Sequence, residues 1–371
     1  MDNIGLYIHI PYCRRKCFYC SFYSCKSERV DETLFLRLLS ETDEYKNDHI
    51  TLDTVFIGGG TPSLLSPDQI ERLFAKIKST FSLCSPEITI ELNPDSTTED
   101  KLQLLQSVGV NRVSFGVQSF VDGELNAIGR LHDSAKAKET ILTASKYFDN
   151  INVDIMVGLP NQTKESLQKT LSRVVSLPIT HCSVYSLILE DGTPLKNAVD
   201  SRKIIVPDAD ETVDLYDFAF DFLAKNGFSR YEISNFCKKD HECRHNANCW
   251  KFHSYIGIGP SAHSFYKNER YSNVEDINAY VVGAESTRYA VENEYSRVIE
   301  YIMLALRTSE GIDKKDFSLR FGYSFDDLFA DTLKKEEIKK SCLNGPDTFS
   351  IKPEYFYISN SIIVDFIEQL Y

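Results

Sequence analysis

The chain of 371 residues carries a formal net charge of −13, with 42% hydrophobic and 26% charged residues. This composition is typical of a globular protein with one large domain and a smaller one. The acidic balance argues against duplex nucleic acid as a partner, because that partner requires a basic surface. No apolar run reaches the roughly 18 residues of a membrane-spanning helix and no signal peptide is evident, so we expect a cytoplasmic location. Ten cysteines in such a reducing compartment argue against a disulfide framework.

The first half of the chain alternates short apolar runs, typical of strands, with stretches of helical period. We predict strands over 5–10, 54–57, 88–92, 111–116, 151–157 and 181–187. We predict helices over 31–45, 67–81, 98–109, 134–148 and 164–177. Such alternation indicates a parallel sheet, and polar residues follow most of the strand ends. We therefore expect an α/β fold with a partial, about six-stranded parallel TIM-like barrel; a flavodoxin-like open sheet is the competing geometry.

The second half of the chain does not continue this regular alternation of strands and helices. A long helix is predicted over 208–226, and a segment rich in Cys, His and Asn follows it. From about residue 292 the pattern is helical again, and two short strands over 348–351 and 355–358 precede a last helix. This order predicts a small C-terminal α+β, winged-helix-like domain. The predicted regions are a barrel over 1–205, a barrel extension with the Cys/His segment over 206–290, and the C-terminal domain over 291–371.

A loop with three cysteines follows the first predicted strand: Cys13, Cys17 and Cys20, at C-x3-C-x2-C spacing. Zinc would need a fourth ligand. The C-x-x-C pair within the motif does not begin a helix after a βα turn, as thioredoxin-like sites do. We favour an iron–sulfur cluster with three protein ligands and one iron left open for a cofactor. The basic residues 14–16 in the loop form either a solvated tip or a positive field near bound anions or thiolates.

This cysteine spacing after a first strand resembles the signature of radical S-adenosylmethionine (SAM) enzymes. The preceding Tyr-Ile-His-Ile-Pro at 7–11 narrows the resemblance to the oxygen-independent coproporphyrinogen III oxidase-like group. Further blocks of the group follow in the same order along most of the chain, at 58–63, 91–94, 116–119, 129–132, 154–160 and 231–236. The resemblance implies a 4Fe–4S cluster on the three cysteines and SAM as cofactor. It also implies reductive cleavage of SAM to methionine and a 5′-deoxyadenosyl radical.

The resemblance also implies which residues contact SAM. Carried over position by position, they are Tyr7, Tyr19, Gly59, Gly60, Thr61, Glu91, Gln118, Arg130 and Asp154. The residue types fit, because glycines let the backbone approach a ligand closely and an arginine suits the SAM carboxylate. A phosphate loop is not indicated, since no Gly-Lys-Ser/Thr follows the glycines. A tight turn at the glycines, and capped or solvated polar side chains elsewhere, are the alternatives.

Two features separate the branches of this group. The oxidase pattern has a further cysteine two residues after the third, where this chain has Phe22, and it carries a long N-terminal extension, whereas the motif here begins at Cys13. The resemblance is therefore to the HemW branch of heme chaperones rather than to the oxidases.

This branch implies a protein that binds heme and transfers it to hemoprotein targets of the respiratory chain, membrane-associated ones included, with a reducing electron donor. The alternative activity is oxidative decarboxylation of coproporphyrinogen III to protoporphyrinogen IX in porphyrin biosynthesis. A radical SAM enzyme with another substrate, such as a methyl transferase, is the third hypothesis.

The HemW branch also carries a His-Asn-x-x-Tyr-Trp motif. This chain has His245 and Trp250 in that motif but Cys249 in place of the tyrosine. We predict His245 as a heme ligand, with the flat apolar face of Trp250 beside the porphyrin. A structural, hydrogen-bonded histidine is one alternative. A zinc site is the other, although its candidate ligands lack zinc-finger spacing: Cys237, His241, Cys243, His245 and Cys249.

Overall fold

The computed structural model describes residues 4–289 and 295–371. The described strands are β1 (Ile4–Ile10), β2 (Tyr12–Cys13), β3 (Cys25–Lys26), β4 (Thr51–Gly59), β5 (Ser82–Leu92), β6 (Arg112–Gln118), β7 (Asn150–Val157), β8 (His181–Ser186), β9 (Ser229–Arg230), β10 (Asn235–Cys237), β11 (Tyr255–Ile258), β12 (His263–Tyr266), β13 (Glu269–Ser272), β14 (Thr287–Tyr289), β15 (Ile312–Asp313), β16 (Cys342–Asn344) and β17 (Thr348–Ile351). The described α-helices are α1 (Glu32–Asp43), α2 (Pro67–Thr80), α3 (Glu99–Val108), α4 (Asp122–Ala127), α5 (Ser134–Ala144), α6 (Lys164–Ser176), α7 (Pro194–Asp200), α8 (Ala209–Lys225), α9 (Arg244–Trp250), α10 (Ile277–Val281), α11 (Ser296–Ala305), α12 (Lys314–Phe321), α13 (Phe325–Leu328), α14 (Glu336–Ser341) and α15 (Ser359–Glu368).

One sheet of twelve strands organises the larger part of the molecule, in the order β14-β13-β12-β11-β1-β4-β5-β6-β7-β8-β10-β9. Its centre is parallel from β11 through β1 and β4 to β8. Antiparallel strands extend both edges. The prediction of an α/β fold with a partial parallel barrel is confirmed. The central run has one parallel strand more than predicted, because β11 is short and contains Gly257, a residue that weakens a strand pattern.

The helices between the central strands begin at side chains that satisfy free backbone N–H groups. Ser66 caps α2, Thr98 caps α3, Asp133 caps α5 and Thr163 caps α6. Helix α3 ends at Gly109, whose φ of +111° is left-handed. The apolar sides of these helices pack on outward-facing strand residues and form the main hydrophobic core. The helices therefore cover the outer face of the sheet.

The inner face of the sheet is polar along β5 to β8. Polar residues alternate there with core residues, at the period of two that places them on one face: Thr89, Glu91, Arg112, Ser114, Asn152, Asp154, His181 and Ser183. Parallel strands covered on both faces are normally apolar throughout. The space enclosed by this inner face, here the lumen, is therefore unusually polar, which indicates a functional site.

The C-terminal domain has an antiparallel sheet, β15-β17-β16, with helices packed on it. Its core is rich in phenylalanine: Phe317, Phe325, Phe329, Phe349, Phe356 and Phe366. The α+β prediction is confirmed for this domain. The predicted strand over 355–358 is wrong, because these residues lie in a 3-10 helix, Pro353–Ile358. Pro353 has the fixed φ that suits the first turn of a helix.

Two further sequence-based expectations bear on the architecture. The boundary predicted between residues 290 and 291 and the helix start predicted near 292 lie outside the described residues. The boundary predicted between 205 and 206 stays a prediction. Within residues 4–289 and 295–371, no helix is long and apolar enough to cross a membrane.

Candidate functional site

The cysteine loop leaves β1 at the carboxyl edge of the sheet and is tied to the turn after α4. The N–H of Phe18 donates to the carbonyl of Ile128 at 3.0 Å. The Arg15 guanidinium donates to the carbonyls of Gly129 and Arg130 at 3.0 and 2.7 Å. Part of the basic tip is therefore structural, because Arg15 fixes the loop to the barrel.

The three thiols are free and partly buried. The hydroxyl of Thr61 donates to Sγ of Cys13 at 3.3 Å, and Nη1 of Arg130 donates to Sγ of Cys17 at 3.3 Å. Burial raises the pKa of the Cys13 thiol, and the Thr61 hydroxyl opposes that rise. A hydroxyl and a cation beside the sulfurs favour the thiolate, which is the form that binds iron. The donor set suits an iron–sulfur cluster.

A cavity of about 520 Å³, here the upper cavity, opens at this edge of the sheet. It brings together every site residue predicted from the sequence except Tyr7 and His245. The predicted residues that line it are Cys13, Cys17, Tyr19, Cys20, Gly59, Gly60, Thr61, Glu91, Gln118, Arg130 and Asp154. They come from the cysteine loop and from the ends of β4, β5, β6 and β7, which explains why residues so far apart in the chain share one site.

Three carboxyl groups line the upper cavity, and two of them, those of Glu91 and Asp154, stand on strands of the sheet. Oε2 of Glu91 accepts the N–H of Gly59 at 3.0 Å, and Oδ1 of Asp154 accepts from Nδ2 of Asn152 at 2.7 Å. Burial and the charge of Asp154 raise the pKa of Glu91 to about 7. Burial also raises the pKa of Asp154, although Ser183 and Asn152 oppose that rise. A cation or sugar hydroxyls would suit this pair.

Arg130 is the buried cation among the three basic residues that line the upper cavity, the others being Arg15 and Lys16. Its Nη2 donates to Oδ1 of Asn93 at 2.6 Å and to the carbonyl of Gly116. Its Nε is buried and has no hydrogen-bond partner among the described residues. A buried donor without a partner costs free energy. A ligand with a carboxylate would supply the missing acceptor, so the residues present fit SAM at this point.

The glycines at 59 and 60 allow the cysteine loop to pack on the end of β4. A Cβ on Gly60 would lie 2.6 Å from the carbonyl oxygen of Tyr12, and Gly59 has a φ of +108°. A side chain at Gly59 would also lie 2.5 Å from the ring of His9. Both positions therefore require glycine for the close approach of protein segments.

Gln118 is held in a strained conformation at the end of β6. Its φ of +74° is left-handed, and the register of β6 against β7 shifts between Gly116 and Gln118. Such strain in a non-glycine residue persists only where surrounding structure imposes it and is frequent at functional sites. Gln118 borders the upper cavity, which is consistent with a functional role for its strained conformation.

The two predicted tyrosines have different positions. Tyr19 borders the upper cavity and packs against Ile128, Met156 and Leu159. Tyr7 lies outside that lining, and its hydroxyl is 2.9 Å from Nδ1 of His9. Tyr7 therefore contacts a neighbour of the glycine turn rather than the cavity.

His245 lies at the opposite, amino edge of the sheet, and only 6% of it is exposed. Its Nδ1 is 2.8 Å from the hydroxyl of Thr54, and its ring centroid is 5.2 Å from that of Phe56. Burial and the charge of Arg112 lower its pKa to about 4, so the imidazole is neutral. The structure does not bring His245 to the upper cavity.

A second cavity of about 670 Å³, here the floor cavity, lies at this amino edge. Its walls include Glu87, Tyr231, Arg244 and Trp250, together with residues 308–310 of the C-terminal domain. In the part of the chain that the structure describes, no three His, Cys, Asp or Glu side chains converge as ligands of one metal ion.

Asn93 and Tyr185 are among the residues of the upper cavity that sequence reasoning missed. Asn93 donates to the hydroxyl of Thr61 at 2.9 Å and accepts from Arg130, so it orients both contacts of the cysteine sulfurs. Tyr185 borders the cavity from the end of β8. The alternation of His181, Ser183 and Tyr185 on that strand was the signal that could have identified it.

Comparisons with known proteins agree along the whole chain. Residues 7–174 match the family described as the Radical SAM superfamily, and residues 296–340 match the HemN C-terminal domain. Heme chaperone HemW of Bacillus subtilis (strain 168) is 33% identical over 377 residues, covering 98% of this chain and 99% of that protein. Heme chaperone HemW of Escherichia coli (strain K12) is 37% identical over 270 residues, covering 71% of this chain and 70% of that protein.

Among solved structures, coproporphyrinogen III oxidase (HemN) from Escherichia coli is similar, with a TM-score of 0.84 and 22% sequence identity. The similarity covers 98% of this chain and 90% of that one. At this level of identity it establishes a common fold, with the barrel and the C-terminal domain both included.

Proposed function

The chain belongs to the HemW family of the radical SAM superfamily, and on this premise we propose that it is a heme chaperone, which binds heme and transfers it to hemoproteins. The observation that carries the proposal is the 33% identity to a heme chaperone over 98% of this chain and 99% of that relative. The radical SAM superfamily implies a 4Fe–4S cluster and SAM. The proposed function therefore includes the cluster and SAM as cofactors.

In this proposal Cys13, Cys17 and Cys20 hold the cluster, and the upper cavity holds SAM. The free thiols at one rim and the unpartnered Nε of Arg130 support this assignment. When bound, the cluster and SAM supply one-electron chemistry, the reductive cleavage of the sulfonium bond.

The protein's own groups bind and orient the cofactor. The Arg130 guanidinium pairs with a carboxylate, while Glu91 and Asp154 face cationic or hydroxyl groups. The backbone at Gly59, Gly60 and Thr61 and the side chains of Tyr19 and Gln118 complete the predicted contacts. Because a neighbouring cation favours an ionised carboxyl, Glu91 releases its proton when SAM binds.

The mouth of the upper cavity offers an apolar surface for a flat ligand such as heme. Phe22 is 72% exposed there, Ile188 67% and Tyr185 42%. Exposed apolar side chains grouped at a cavity mark a binding surface. Lys16 borders the same cavity and suits a heme propionate. The mouth is therefore one proposed heme site, and the predicted ligand His245 is the other.

Heme spectra of single variants separate these two sites. The holoprotein is titrated with heme, and the Soret band of wild type is compared with those of Phe22→Ser and His245→Ala. Weaker binding only in Phe22→Ser places heme at the mouth, whereas an altered Soret position in His245→Ala identifies the histidine as ligand. If neither variant differs from wild type, both proposed heme sites are wrong.

The chaperone hypothesis is tested against the oxidase alternative in one anaerobic experiment. Reconstituted protein is given coproporphyrinogen III, SAM and reductant, and in parallel heme-loaded protein is mixed with an apo-hemoprotein. We expect heme to appear in the acceptor and coproporphyrinogen III to stay unchanged. Formation of protoporphyrinogen IX would instead assign the oxidase activity. The exposed Phe22, where the oxidases have a cysteine, favours the first outcome.

The partners follow from the same proposal. The targets are hemoproteins of the respiratory chain, membrane-associated ones included, and a reducing donor supplies the electron in the cytoplasm. Pull-down of heme-loaded against heme-free protein from a respiring cell extract tests the targets, and only heme-dependent capture supports them.

A further inference from the structure

A row of hydrogen-bonded side chains runs through the lumen from the upper cavity to the floor cavity. We propose that its members Asn152, His181 and Tyr231 are positioning residues, which fix the carboxylate of Asp154 for the ligand of the upper cavity. The inference rests on the proposed function in one respect, that SAM is this ligand. It goes beyond the family resemblance, which includes Tyr231 in the block 231–236 but implies a role for none of these three residues.

The contacts of the row are continuous. Nδ2 of Asn152 donates to Oδ1 of Asp154 at 2.7 Å and to Oγ of Ser114 at 2.7 Å. Oδ1 of Asn152 lies 2.6 Å from Nδ1 of His181. Nε2 of His181 lies 2.9 Å from the hydroxyl of Tyr231. Asp154 borders the upper cavity and Tyr231 the floor cavity, so the row connects the two ends of the lumen.

The chemistry of the groups gives every bond one direction. An ionised carboxylate only accepts, so the amide nitrogen of Asn152 must face Asp154 and its oxygen must face His181. The proton of a neutral His181 then lies on Nδ1, and Nε2 accepts from the hydroxyl of Tyr231. The N–H of Cys243 donates to that hydroxyl at 3.2 Å. All of these donors point towards Asp154.

Burial keeps the row in this single arrangement. His181 is 1% exposed and Asn152 2% exposed. Burial and the charges of Arg112 and His241 lower the pKa of His181 well below its ordinary value, so the ring stays neutral. Ser183 gives Asn152 a second donor at 3.2 Å. A polar row in which every bond is satisfied is rigid, and it can therefore hold Asp154 in one orientation.

The test compares two substitutions of His181 in anaerobically reconstituted holoprotein. Asparagine keeps a donor at the position of Nδ1, whereas leucine of similar size removes it. We expect His181→Leu to weaken SAM binding about fivefold, as for loss of one hydrogen bond between neutral groups, and His181→Asn to bind within about twofold of wild type. SAM affinity is measured by equilibrium dialysis and iron content is measured in parallel.

The outcomes separate this inference from the function on which it rests. Wild type that fails to bind SAM contradicts the cofactor assignment. If wild type binds SAM, two results overturn the positioning role. One is that His181→Leu binds SAM equally well, and the other is that His181→Asn does not recover the lost affinity. If His181→Leu does not fold, nitrogen NMR of the wild-type histidines decides, with His181→Asn for assignment. A neutral Nδ1–H ring supports the row, and an Nε2–H ring contradicts it.

Discussion

The upper and floor cavities occupy the two ends of one lumen, yet their polar groups differ. The two cavities are of comparable size, at about 670 Å³ for the floor cavity and about 520 Å³ for the upper cavity. Both basic residues that line the floor cavity form ion pairs: Arg244 with Asp53, and Lys251 with Glu310 at 2.7 Å. Its Glu87 accepts from the N–H groups of Arg244 and His245 at 3.1 and 3.2 Å.

The upper cavity retains groups whose bonding capacity the protein does not use. Its three thiols are free, Nε of Arg130 has no partner among the described residues, and the carboxyl of Glu91 has a pKa near 7. Unsatisfied polar groups are retained where a ligand completes them. The comparison teaches that unused bonding capacity, rather than volume, identifies the ligand site of this barrel.

The largest effect is expected at the cysteine loop. Replacing Cys13, Cys17 and Cys20 together by alanine removes all three protein ligands, so iron and sulfide after anaerobic reconstitution should fall to background. Both are measured by chemical analysis and by the cluster absorbance. Cys84→Ala, an exposed cysteine remote from the cavity, is the matched control. Full iron content in the triple variant would falsify the cluster assignment.

Arg130→Met is expected to weaken SAM binding about 10- to 100-fold, because it removes a charged donor beside the carboxylate. Arg130→Lys should recover part of the loss, since it keeps the charge without the planar fork. Affinity is measured by dialysis. Arg72→Met, which removes an arginine paired with Glu32 and Asp68 outside the cavity lining, is the control and should bind normally. Equal affinity in Arg130→Met and wild type would contradict the assigned contact.

SAM affinity should depend on pH through Glu91. The pKa of this carboxyl is raised to about 7, so the group is protonated below that pH and must lose its proton to face a cation. Affinity should therefore fall about tenfold between pH 8 and pH 6. In Glu91→Gln the dependence should disappear because the amide does not titrate. A wild-type affinity that stays flat over this range contradicts the role of Glu91.

The smallest effect is expected at the floor. Arg244→Met breaks the pairing with Asp53 and the bond to the carbonyl of Ser85, so the free energy of unfolding should fall by about 1 kcal/mol. Urea unfolding measures this change. SAM affinity and iron content should stay at wild-type values. A loss of SAM affinity in Arg244→Met would contradict the distinction between an upper cavity that binds the ligand and a floor cavity that does not.

Much of the candidate site could be predicted because its signals are local in the chain. The cysteine spacing, the glycine turn and the polar residue after each strand are short patterns, and parallel strands place their carboxyl ends at one edge of the sheet. The alternation of helices and strands fixed the α/β class for the same reason. Strand β11 and the 3-10 helix at Pro353–Ile358 were missed because short elements carry weak patterns.

The sequence by itself determined the cysteine loop, the order of the polar blocks and the family resemblance. Only the tertiary structure decided which polar residues meet. It placed His245 beside Thr54 at the floor, Asn93 between Thr61 and Arg130, and His181 against a tyrosine 50 residues further along the chain. The physical reason is that such contacts join elements far apart in the chain, whose approach is set by the packing of the whole layered fold rather than by a short pattern.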